Sequence, residues 1–252
     1  MKKSELGNIT YQSAEESQTR EEFVKTFRKC PIPDGEIMSN LGLFLNSKNL
    51  SRILFMDHLY RQIIDVQGIV IEFGCRWGQN TALMAALRGI YEPFNRHRKI
   101  VGFDTFKGFP AISAKDGKSK LMRVGADTVT ENYVAYLSRV LELQEKDNPL
   151  SHIKKFELVA GDAVVEIEKY LAAHPETIIA LAYFDFDLYE PTRKCLEAIR
   201  PYLVKGSVLG FDELNDPDSP GETVALKEVF GLNKINLKRY RYTSRVSYMV
   251  VE

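Results

Sequence analysis

The 252-residue sequence has no excess of charge: 34 lysines and arginines balance 34 aspartates and glutamates. A dedicated nucleic-acid surface usually shows as a basic excess, so no nucleic-acid partner is expected. Cysteine is scarce. Cys30, Cys75 and Cys195 are an odd number with no CxxC pair, which disfavours a disulfide framework or a zinc ribbon and fits a reducing compartment. No apolar run is long enough to span a bilayer, so no membrane partner is expected. The first residues, MKKSELGNITYQSAEESQTREEF, lack the apolar core of a signal peptide, and the expected location is the cytoplasm. His58, His97, His152 and His174 are scattered without HxH or HxxxH spacing, so each reads first as a surface or structural residue. Internal repeats and low-complexity linkers are also missing. What remains is a globular chain, 44% apolar, long enough for one large domain or two small ones.

Residues 1–45 are polar and then turn-rich at Pro31-Ile-Pro-Asp-Gly35, and read as an arm or lid ahead of a single domain over 46–252. Leu50, Ile53, Leu54, Leu59, Ile63 and Ile64 have helical spacing. From there, short β-branched runs alternate with helical patterns. Strands are expected at 68–73, 99–103, 156–159, 178–184 and 206–211, with helices near 80–87, 130–146, 163–172, 191–203 and 221–230. A long loop occupies 106–128. Strands near 237–242 and 246–251, joined at Thr243-Ser-Arg245, have no helix between them and form a hairpin. The expected fold is therefore α/β: a doubly wound, Rossmann-like, mostly parallel seven-stranded sheet with one antiparallel strand.

In such sheets ligands bind outside the carboxyl ends of the strands. Every expected parallel strand here ends at a carboxylate: Glu72, Asp104, Asp162, Asp185 with Asp187, and Asp212 with Glu213. Asp and Gly are common after strands for turn and capping reasons, yet five strands in a row argue for a shared purpose. The first strand-to-helix turn, Glu72-Phe-Gly74-Cys-Arg-Trp-Gly78, is ExGxxxG and lacks the third glycine of a dinucleotide fingerprint. Its glycines still let backbone approach a ligand closely. Asp104, at the end of the second strand, suits the two hydroxyls of a ribose.

Four phrases then carry a resemblance. Val70-Ile-Glu-Phe-Gly-Cys-Arg-Trp-Gly78, Gly102-Phe-Asp-Thr-Phe-Lys-Gly-Phe-Pro110, Phe184-Asp-Phe-Asp-Leu-Tyr-Glu-Pro-Thr192 and Phe211-Asp-Glu213 resemble class I S-adenosylmethionine-dependent methyltransferases. More narrowly they resemble the macrocin O-methyltransferase family, which methylates sugar hydroxyls and uses magnesium. The resemblance implies that Gly74 and its neighbours Glu72, Cys75 and Arg76 contact the methionine part of S-adenosylmethionine. It implies that Asp104, beside Thr105 and Phe106, holds the ribose, and that Asp162 with Ala163 lies near the adenine. Asp185 would touch both cofactor and metal, with Asp212 and Glu213 completing the magnesium set. The family usually has two aspartates where this chain has Asp212-Glu213, so Glu213 would bind directly or through water.

Methyl transfer from a sulfonium is an in-line displacement, so the acceptor oxygen must be held close and collinear with the methyl carbon. A sugar hydroxyl needs its proton drawn off by a cation, a carboxylate or both. Asp187, two residues beyond Asp185, is the expected base, with Asp185 beside it, on the premise that a strand-like backbone keeps both on one side. Trp77 and Tyr189 read either as pocket walls or as core. Lys107, Lys115, Lys118, Lys120 and Arg123 make the 106–128 loop basic, as a solvated loop or as a lid that recognises a phosphate. His152 could approach the acceptor, and Cys75 reads as packing rather than as a nucleophile. Acceptor choice is expected to lie in 1–45, 106–128 and 214–222. The acceptor is a sugar, as a glycoside or a nucleotide-activated sugar. The alternatives are a nitrogen or non-sugar hydroxyl acceptor, a nicotinamide-dependent oxidoreductase, and a non-catalytic homologue. A homo-oligomer is expected from the resemblance and the N-terminal segment.

Overall fold

A computed structural model describes residues 13–252; the first twelve residues of the expected arm lie outside this range. The elements are α1 (Ala14–Arg28), α2 (Asp34–Ile37), α3 (Ser47–Gln62), β1 (Ile69–Phe73), α4 (Gln79–Tyr91), β2 (Ile100–Asp104), α5 (Tyr133–Lys146), β3 (Phe156–Ala160) and α6 (Ala163–Ala173). They continue with β4 (Ile179–Phe184), α7 (Tyr189–Ile199), β5 (Leu203–Phe211), α8 (Gly221–Phe230), β6 (Lys238–Arg239) and β7 (Ser247–Val250). The seven strands form one sheet in the order β3-β2-β1-β4-β5-β7-β6. β1 to β5 are parallel, and β7 runs antiparallel between β5 and β6. The expected fold class is observed.

Apolar side chains alternate between the two faces of the sheet, as strand geometry requires. Val70, Ile100, Leu181 and Val208 pack on one face with α3, α4 and α5. Ile71, Val101, Ala182 and Leu209 pack on the other with α6, α7 and α8. A row of phenylalanines crosses four strands near their ends, with Phe103–Phe73, Phe73–Phe184 and Phe184–Phe211 ring centroids 5.3, 4.9 and 5.3 Å apart. Phe73 is in register with Phe103 and Phe184, and Phe184 with Phe211. The residues that follow this row therefore emerge at one level: Gly74, Asp104, Asp185 and Asp212. The strand order reverses between β1 and β4, which opens the crevice at that level.

Local departures from expectation have plain causes. Segment 13–45, within the expected arm or lid, contains helices α1 and α2. Ser13 and Glu16 close a reciprocal capping box that starts α1, a helix with no buried residue. α7 stops at Ile199 because Pro201 interrupts the helix, and a short 3₁₀ turn leads into β5 three residues earlier than expected. β6 spans two residues rather than six. α3 buries Phe55, Met56, Leu59 and Tyr60, whereas Leu50 and Leu54 stay exposed, so the helix is turned relative to the expected face.

Candidate active site

A cleft of about 640 Å³ opens at the carboxyl ends of the parallel strands. It is lined by Gly74, Cys75, Arg76, Asp104, Thr105, Asp162, Ala163, Asp185, Asp187, Asp212 and Glu213, all expected at the site from sequence. Two expected residues are not on its wall. Glu72 is buried behind the glycine turn, where it accepts a hydrogen bond from the Thr81 hydroxyl at the start of α4. Phe106 is buried beneath the loop that it begins.

Gly74 is at φ +83°, and a Cβ there would strike the carbonyl oxygen of Asp185, so only glycine lets β1 and β4 approach so closely as they end. Asp104 accepts hydrogen bonds from the backbone N–H of Arg76 (2.8 Å) and of Phe106 (2.5 Å). Both donors are left-handed, at φ 44° and 53°. One carboxylate thus stabilises two strained turns at the cleft floor. Each of its oxygens keeps a further lone pair. Burial raises the pKa of Asp104, and these two N–H groups oppose the rise. Asp162 caps α6 by accepting from the Val164 N–H at 3.0 Å.

At the other side of the switch point, α3 contributes a residue that the motifs did not indicate. Arg52 donates to Asp212 and, at 2.8 Å, to the Tyr183 hydroxyl, and lies 3.8 Å from Asp185. The Tyr183 hydroxyl in turn donates to Asp212 at 2.8 Å. Burial would raise the pKa of Asp212, but Arg52 overcomes it and holds the carboxylate below its usual range. Asp185 is pushed well above that range by burial and then by the Asp212 charge, against the pull of Arg52. Glu213 also lines the cleft but is ion-paired with Arg245. The three expected metal ligands are therefore not united. Among the described residues, no group of three or more His, Cys, Asp or Glu side chains is placed to hold a metal ion.

Asp187 lines the cleft, but not by strand alternation. β4 ends at Phe184, and Asp187 is left-handed at φ 61°. Its neighbour Phe186 donates its N–H to Glu222 of α8 at 3.0 Å. Glu222 is fully buried, its other oxygen has no hydrogen-bond partner, and burial drives its pKa well above the carboxylate range. Arg52, Tyr183 and Glu222 were all missed from sequence. Arg52 falls one turn before Met56, but the apolar spacing of α3 points to the Leu50 and Leu54 face, and only the fold shows that the Met56 face is the buried one.

Trp77 lines the cleft, whereas Tyr189 is buried between α7 and α8 with its hydroxyl 2.5 Å from Glu228. Cys75 is buried and its thiol pKa is raised by that burial, so it is a packing thiol. None of the four histidines is among the lining residues, His152 included. The same holds for Lys107, Lys115, Lys118, Lys120 and Arg123 of the basic loop; Lys115 pairs instead with Glu228 at 2.7 Å.

No protein-family model matches the chain, and no curated protein does. Among solved structures, the calicheamicin methyltransferase CalS11 is 44% identical with a TM-score of 0.93, over 98% of this chain and 96% of that one. This chain belongs to the class I S-adenosylmethionine-dependent methyltransferases. An apo structure of CalS11, described as a TDP-rhamnose 3'-O-methyltransferase of calicheamicin biosynthesis, is 42% identical with a TM-score of 0.85, over 98% of this chain and 99% of that one. The O-methyltransferase NovP, at 17% identity and a TM-score of 0.57 over 79% of each chain, shares the fold. In a methyltransferase of this class the ExGxxxG turn, the Asp104 loop and the capped start of α6 lie where cofactor binding is expected, at the switch point of the sheet.

Proposed function

We propose that this methyltransferase transfers a methyl group from S-adenosylmethionine to a hydroxyl of a sugar, presented as a glycoside or a nucleotide-activated sugar. The similarity to CalS11 along the whole chain carries this reading. The cleft supports it, because carboxylates after four of the five parallel strands line one space. Gly74, Cys75 and Arg76 hold the methionine end of the cofactor, Asp104 with Thr105 the ribose, and Asp162 with Ala163 the adenine. Glu72 and Phe106 support these turns from behind.

Asp187 accepts the proton of the acceptor hydroxyl, with Asp185 orienting it. Two carboxylates, Asp185 and Asp212, offer the hard oxygens that magnesium favours, with water completing the set. Asp185 and Asp212 would hold the ion, and the Arg52 guanidinium marks where the pair already requires positive charge. Glu213, held by Arg245, would reach the ion only through water. When bound, the ion would lower the pKa of the acceptor hydroxyl. Ahead of the domain 46–252, the described part of the expected arm or lid, residues 13–45, acts as a lid, a reading supported by Glu16 and Arg20 of α1 in the cleft wall. Phe23, Phe27, Leu41 and Leu43 are exposed along this segment and suit a homo-oligomer contact. The three cysteines are free, which suits the cytoplasm.

The test is product analysis by mass spectrometry with S-adenosylmethionine and two acceptors, TDP-rhamnose and a neutral rhamnoside. A methyl ether on either acceptor is the expected result, and methylation of a catechol alone would overturn the sugar reading. Activity lost in EDTA and restored by magnesium supports the metal; full activity in EDTA removes it. Asp187→Asn should cut kcat by about 100-fold or more with S-adenosylhomocysteine affinity near wild type. Unchanged turnover would end its role as base.

A further inference from the structure

Four cations line one side of the cleft: Arg20 of α1, Lys48 and Arg52 of α3, and Arg245 on the β6–β7 turn. Two are neutralised. Arg52 is paired with Asp212, and Arg245 with Glu213 and, at 3.7 Å, Asp216. Arg20 and Lys48 pair with no carboxylate among the described residues. The nearby acid on α1, Glu16, accepts from the Ser13 N–H at 2.7 Å through one oxygen and forms no ion pair with either cation among the described residues. Lys48 is exposed beside three other cations: after burial, Arg20, Arg245 and Arg52 lower its pKa, and Asp212 opposes them. Like charges gathered on one wall favour an anion there.

Spacing along α3 states what kind of anion. Lys48 and Arg52 are four residues apart, on one face and about 6 Å along the axis. Arg52 touches the carboxylates beside which the acceptor hydroxyl reacts. A group held at Lys48 therefore stands about one sugar ring away from that hydroxyl. A neutral glycoside would leave both cations unmet; a diphosphate on the anomeric carbon would meet them.

We propose that Arg20 and Lys48 form a diphosphate subsite, so that the acceptor is a sugar still attached to a nucleoside diphosphate. This rests on the sugar O-methyltransferase reading above and assigns the phosphate contact to α1 and α3 rather than to the basic loop after β2. The α1 contribution also gives the lid a reason to close: the anion ties α1 to α3 over the acceptor.

Titration calorimetry on S-adenosylhomocysteine-saturated enzyme tests it, with TDP, TMP and thymidine as probes. TDP should bind at least about tenfold tighter than thymidine, with TMP between, and should weaken as NaCl rises. Arg20→Gln and Lys48→Gln should each weaken TDP by about tenfold and leave thymidine unchanged, while Lys48→Arg retains most of the affinity. S-adenosylhomocysteine binding by each variant verifies the fold, and the salt dependence in wild type tests the charge without any substitution. Equal binding of TDP and thymidine by wild type, or undiminished TDP binding by the Arg20→Gln/Lys48→Gln double variant, would overturn the subsite. Failure of the sugar reading looks different: TDP binds through Arg20 and Lys48, but no sugar is methylated.

Discussion

Glu72 makes the stability of this enzyme depend on pH, in a direction opposite to that of an ordinary surface carboxylate. It is 2% exposed, beneath the glycine turn. Burial raises its pKa from 4.5 to about 7, against hydrogen bonds from Thr81 and Asn80 that favour the charged form. In the unfolded chain the proton leaves near 4.5; in the folded chain it is retained to about 7. The contribution of Glu72 is therefore complete below pH 4.5 and is lost as pH rises through about 7. At about 1.4 kcal/mol per pH unit, the gap corresponds to about 3 kcal/mol. Glu72→Gln keeps an acceptor for the Thr81 hydroxyl and cannot ionise. Urea unfolding of both proteins at pH 4.5 and pH 8 isolates the effect, because other titrations cancel in the difference. The variant should gain about 3 kcal/mol relative to wild type between the two pH values, a relative rise in Tm of roughly 6–12 °C. A difference that does not change with pH, or that grows as pH falls, would refute the claim that Glu72 is buried as a neutral acid.

Three further changes read out other parts of the cleft. Gly74→Ala must put a Cβ against the Asp185 carbonyl from a left-handed backbone; it should cost about 1–3 kcal/mol in urea unfolding and lower S-adenosylhomocysteine affinity with it. Glu222→Gln should be tolerated because the native side chain is already driven neutral, whereas Glu222→Leu leaves the Phe186 N–H without its acceptor and should cost about 1–3 kcal/mol, measured by the same unfolding assay. Arg52→Met leaves Asp212 buried without its nearest counter-charge; the pKa of Asp212, followed by carboxylate NMR or infrared titration, should rise, and a value unchanged from wild type would show that Arg245 and Tyr183 hold the charge without it.

What the sequence revealed and what it hid follow from the range of the interactions. The strands were visible because each is a short β-branched run, and the cleft was visible because a parallel sheet brings all its strand ends to one edge. Aligned phenylalanines then place Gly74, Asp104, Asp185 and Asp212 at one level without any further information. Side-chain pairing across elements is another matter. Arg52 and Asp212 are joined only after α3 packs across β4 and β5, and neither carries a local pattern that names the other. The same holds for Glu222, which reads as the first turn of α8 until the fold puts it under Phe186. Asp187 illustrates the reverse error. Strand alternation does not extend three residues past the end of β4, where the backbone has already turned left-handed, and Asp187 reaches the cleft by another route. Charge patterns in the sequence are uninformative for a related reason. Five cations in the loop after β2 are conspicuous together, whereas Arg20 and Lys48 lie 28 positions apart on two helices. Only the folded chain makes them neighbours, and there neither forms an ion pair with a carboxylate among the described residues. A cluster in sequence measures local composition; a site measures which charges remain unsatisfied once every nearer partner has been taken.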